Sequence, residues 1–170
     1  NWELWAGELI ESHSTYPMLA FYRSQHDGHS WLASLAVVLD TCTLILAGTD
    51  DGRTLQAAAT FATARRVLNE VGSSLAVESL TWDDNERVAE HDLVLLVDAL
   101  ERSFDGWSNT PDTLSFVSDL RRAYEPQLSS LSAYLWLALP DWGAPSLIVH
   151  GPAKVELIHQ LLKRGGTDKK

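Results

Sequence analysis

The chain of 170 residues holds one cysteine and one methionine, and its 13 Lys and Arg are outnumbered by 23 Asp and Glu. One cysteine excludes an internal disulfide and any multi-cysteine zinc site. Cys42 lies in an apolar helical run and reads as a small core residue rather than a nucleophile. The net charge of -10 excludes the basic footprint that nucleic-acid binding needs. It also disfavours electrostatic docking on anionic lipid. No GxGxxG or GxxxxGK[ST] loop is present, and neither is HEXXH or the paired Glu-x-x-His of di-iron bundles. His26 and His29 flank Asp27 and Gly28, and the glycine breaks the register that would aim both rings at one metal. The longest apolar run, Trp31 to Gly48, is interrupted by Asp40. A bilayer span needs about 20 consecutive predominantly apolar residues, so the expectation is no membrane span in this chain. No cofactor and no metal are expected.

What is present is helical periodicity. Hydrophobic residues make up 45% and charged residues 21%, the balance of a globular domain with a real core. Spacing predicts helices over about 2–13, 18–26, 30–47, 53–71, 84–103, 111–125 and 127–139, and a last one after Gly151-Pro152. Ser30 is a candidate N-cap, and Thr110-Pro111-Asp112 is a helix-start signal. Pro126 is expected to kink or end the sixth helix. That helix carries Leu114, Val117, Leu120 or Arg121, and Tyr124 on one face. Leu147-Ile148-Val149 is the only strand-like run. The prediction is an all-α fold, an irregular and largely antiparallel bundle of six to seven helices. It forms one domain over 1–164, with 1–30 extending from the body as an arm and 165–170 as a disordered tail. Arg65-Arg66 and Arg121-Arg122 read as solvated helix faces.

The stretch Glu8 to Asp40 stands apart. It carries three of the six His, and Arg23 is the single base in residues 1–52 against seven acids. Asp40 falls in the middle of a small-residue stripe formed with Ala33, Ala36, Thr43 and Ala47. Such a stripe lets helices approach closely, so Asp40 is expected to be buried and to need donors or a cation. Glu8, Glu11, His13, Arg23 and Asp40 are the candidate polar cluster. It reads first as a structural network, with Arg23 paired to Asp40 or Glu11 and Ser12 or Ser24 bridging. The alternative is a small helical enzyme or ligand-binding protein using the same His/Glu/Arg/Asp groups. Trp2 and Trp5 are candidate interface residues, exposed in isolation and covered in a larger protein. The chain does not start with Met and begins inside a helix, from which a longer parent protein is expected.

The residues Trp2, Glu8-Leu9-x-Glu11-Ser12-His13-x-x-Tyr16-Pro17-x-Leu19-Ala20-Phe21-Tyr22-Arg23-Ser24-Gln25-His26, then Ser30-Trp31-Leu32 and Leu39-Asp40, carry a family likeness. This string resembles the soluble segment behind the pore module of bacterial potassium-channel-like membrane proteins of the ion-transport type. It covers roughly the first quarter of the chain, and Phe21-Tyr22 stands in the opposite order to the family's aromatic pair. The resemblance implies a cytosolic regulatory or assembly domain, non-enzymatic, on the inner face of a bacterial inner membrane. Its partners would be its own transmembrane pore module and further copies of itself. The pore and its filter lie outside this sequence, so no conducting residue is assigned.

Overall fold

The computed structural model describes residues 2–21, 30–79 and 87–142. Six α-helices make up this part, with no strand among the described residues, so the fold is all-α as the periodicity predicts. They are α1 (Trp2–Thr15), α2 (Trp31–Gly48), α3 (Gly52–Ser74), α4 (Glu90–Ser103), α5 (Thr113–Arg122) and α6 (Glu125–Leu135). A single 3-10 turn, Pro17–Phe21, follows α1. The remainder of the expected second helix, Arg23, His26 and His29, the strand-like run at 147–149, the last helix and the tail lie outside the described residues.

α2 and α3 form the central hairpin, joined by a turn of three residues. Ser30 caps α2 by accepting from Ala33 N at 3.0 Å, and Asp51 caps α3 by accepting from Arg53 N at 2.8 Å. The face read for α3, Ala57, Phe61, Ala64, Leu68 and Val71, is buried throughout. α1 lies along α3 with Ala6 and Leu9 buried, so it packs on the body instead of projecting as an arm. Two apolar cores result. The larger joins α1, α2, α3 and α6; the smaller joins α4, α5, Trp107 and Trp142. α2 is common to both, since Leu44 and Ala47 pack on the smaller core while Ile45 and Leu46 pack on the larger.

By length and composition α2 is apolar enough to cross a membrane, and half of it is buried inside the fold. A helix that is hydrophobic all round calls for burial; the two cores cover half of α2, while Val37 and Thr41 stay exposed. Its C-terminus is seated by the loop after α4. Trp107 Nε1 donates to Leu44 O at 3.1 Å, and Ser108 N donates to Gly48 O at 2.8 Å. The Trp107 indole occupies the place a Cβ on Gly48 would take.

Three helix starts differ from the sequence reading. Thr110-Pro111-Asp112 forms a turn and α5 begins at Thr113, because the Thr113 hydroxyl accepts from Thr110 N at 2.8 Å and holds that turn closed. The break between α5 and α6 falls at Ala123-Tyr124, so Pro126 sits in the first turn of α6, where its missing N–H costs nothing. α4 begins at Glu90, later than the expected 84; residues 84–86 lie outside the described residues.

Candidate functional site

Four buried or nearly buried charged groups collect at one place, where α2, the segment before α4 and the α5–α6 bend meet. Arg87 is its centre, with a side chain 5% exposed. Its Nη1 donates to Asp40 Oδ1 at 3.3 Å and to both Glu125 oxygens at 3.2 and 3.3 Å. Its Nη2 donates to Asp40 Oδ2, closing a two-point pair, and its Nε donates to Pro140 O at 3.2 Å. Tyr124 Oη donates to Asp40 Oδ1 at 2.7 Å. Arg121 Nε donates to Glu125 Oε1 at 3.4 Å, one helical turn away. The Arg121 guanidinium lies 5.2 Å from the centre of the Trp142 ring, a cation–π distance. Two cations thus face two anions in a site that solvent barely reaches.

Each helix delivers its member by its own spacing. Asp40 is one turn from Ala36 and Thr43 on the small-residue stripe, both of which are buried. Arg121 and Tyr124 follow Val117 at helical intervals on the buried face of α5 and the bend. Glu125 is the first residue of α6 and is wholly buried. Burial pushes the Asp40 carboxyl above its ordinary range, and Arg87 and Tyr124 oppose this without cancelling it. Burial also raises Glu125, where Arg87 opposes and the Asp40 charge adds. The Tyr124 phenol is pushed well up by burial and then by the two carboxylates. Burial works against the charge on Arg87, but the paired carboxylates outweigh it.

Of the sequence-predicted cluster, only His13 and Asp40 are buried or nearly so. Glu8 and Glu11 are exposed, and Arg23 lies outside the described residues. Asp40 takes Arg87 and Tyr124 as partners in place of a neighbour from its own stretch. His13 belongs to a separate joint. Its Nδ1 lies 3.0 Å from Leu9 O and 3.1 Å from Ser12 Oγ, and its ring packs on Trp31 at 5.2 Å between centres. Trp31 Nε1 in turn donates to Ala20 O at 3.1 Å, tying α1, the 3-10 turn and the start of α2 together. With Nδ1 donating to Leu9 O, Nε2 is a buried lone pair with no partner among the described residues. Burial lowers the His13 pKa, against the Leu9 bond that raises it.

Arg87, Arg121, Tyr124 and Glu125 are the members that sequence reasoning missed. Arg121 also corrects the solvated-face reading of Arg121-Arg122: Arg121 is buried, while Arg122 pairs at the surface with Asp119 at 2.8 Å. The signal was there, since Arg121 shares the apolar stripe of Val117 and Tyr124. Arg87 had none; it follows a run of acids and a tryptophan that give no period. Trp2 is half exposed and Trp5 partly buried, their rings edge to face at 5.1 Å and 86°. Burial pushes the Cys42 thiol up to about 11, so it stays protonated at neutral pH, as a core residue should. Among the described residues no three potential ligands gather for a metal.

Such a set can hold three parts of a chain in one arrangement. It does not present a reacting atom: every carboxylate oxygen and the guanidinium face one another. No protein-family model, no curated protein and no solved structure matches the chain.

Proposed function

We propose that this chain is a non-enzymatic regulatory and assembly domain on the cytosolic side of a bacterial potassium-channel-like membrane protein. One observation carries the non-enzymatic part. Asp40, Arg87, Arg121 and Glu125 are bonded to one another inside helix packing, whereas a catalytic pair must face a space that substrate can enter. The resemblance carried by residues 2–40 supports the membrane-protein part. That stretch forms α1, the 3-10 turn and α2, the helix shared by both cores, so a pull or twist on α1 reaches the whole body through Trp31 and Asp40. Leu4, Tyr16, Met18 and Phe21 are exposed along the same N-terminal part and supply an apolar surface for assembly with other copies.

The test is the coding sequence upstream of Asn1 in the gene. Two apolar spans flanking a TVGYG-like filter are expected, in frame with this domain. An upstream sequence with no apolar span overturns the proposal.

A further inference from the structure

A concavity lies away from the charge cluster, between α2 and α3. It has a volume of about 400 Å³, within the range of small-molecule sites, roughly 300–1,000 Å³. Its floor is Val38, Cys42 and Ala57, all buried; Trp2 and Ile45 stand at its sides. From Val38 to Ile45 the α2 axis rises by about 10 Å, which makes the floor a trough and not a round cup. Among the described residues, the one charged side chain that lines it is Arg53. In a chain of net charge -10, the trough therefore carries a cation at its edge. That cation is positioned. Asp51 caps α3 and at the same time accepts from Arg53 Nε and Nη2, both at 2.6 Å. A guanidinium has five N–H donors, so a second carboxylate can be taken while the first pair stays in place.

We propose that this trough binds a monomeric single-chain amphiphile with an anionic head, a medium-chain carboxylate. The acyl chain lies along Val38, Cys42 and Ala57, with Trp2 flanking it, and the carboxylate meets Arg53. The Arg53 donors that the Asp51 pair leaves over meet the head group, and the apolar floor takes the tail. The proposal does not depend on the membrane-channel reading, and neither result decides the other.

The experiment is calorimetric titration of the full chain with decanoate, decanol and decyltrimethylammonium, each below its aggregation concentration. One decanoate per chain is expected, bound at least tenfold more tightly than the other two. Thr41→Trp fills the trough from an exposed wall position and is expected to abolish binding while the melting curve is unchanged. Arg53→Gln is expected to bring decanoate down to the level of decanol. Should Thr41→Trp fail to fold, Val37→Glu, at a half-exposed wall position, is expected to repel decanoate and leave decanol. Equal binding of all three amphiphiles overturns the proposal, as does decanoate binding that survives both wall variants. A trough filled by a second copy of the chain, seen as self-association that Thr41→Trp removes with no decanoate binding in the parent, overturns it as well.

Discussion

A neutral imidazole suits the place His13 occupies, because its Nε2 has no hydrogen-bond partner among the described residues. Protonation would bury a cation between α1 and Trp31. The folded pKa is below the ordinary value, about 6.5, so the stability His13 contributes is complete above that value and is lost as pH falls through the folded pKa. The melting temperature is expected to decline as pH falls from 7 toward 5. His13→Gln, which keeps a polar group there without the titration, is expected to flatten that part of the curve. A parent and variant whose curves run parallel from pH 7 to pH 5 would show that His13 does not titrate in the folded state in this window. Asp40 and Glu125 act with the opposite sign. Their pKa values are raised by burial, so what they contribute is complete below the ordinary carboxylate range and is lost as pH rises through the folded values. They do not drive acid unfolding.

At the scale of the element, Gly48 decides how α2 ends. The indole of Trp107 lies where a side chain would start, and its N–H reaches the Leu44 carbonyl one turn back. Gly48→Ala must push the ring away or move the helix end, at a cost of about 1–3 kcal/mol for overpacking. Urea unfolding at constant m-value checks this; a midpoint equal to the parent's contradicts it. Helices were legible where apolar spacing ran unbroken. α3 shows this best, since its one face of Ala57 to Val71 is the buried one. Helix ends were less so, because they depend on local hydrogen bonds such as that of Thr113 to the Thr110 amide, which no periodicity records. For the cluster, the stripe placed Asp40 inside but not its partner. Arg87 is 47 residues away in sequence, and pairing at that distance is set by how helices pack. Arg121 was legible by register and misread by charge, since an arginine on an apolar face reads as solvated until its partner Glu125 is known.

For the whole molecule, the Arg87 pairs join its parts together with α2, which both cores share. The larger core holds α1, α2, α3 and α6, and the smaller holds α4 and α5; Arg87 comes from the segment entering α4 and fastens it to Asp40 of α2 and Glu125 of α6. A buried ion pair is not in itself strongly stabilising, because desolvation offsets much of the attraction. Removing one partner is different, for it leaves the other charges buried and uncompensated. The cluster therefore acts as a clamp that fixes one arrangement of the two cores. The assembly reading needs that body to move as a unit with the N-terminal stretch. The most direct measurement is equilibrium unfolding of Arg87→Ala by two probes, circular dichroism for the helices and tryptophan fluorescence for the cores. A loss of about 3–5 kcal/mol is expected, with the two probes separating as the cores unfold apart. Stability within about 0.5 kcal/mol of the parent, the level of an ordinary surface substitution, with coincident transitions, would contradict it.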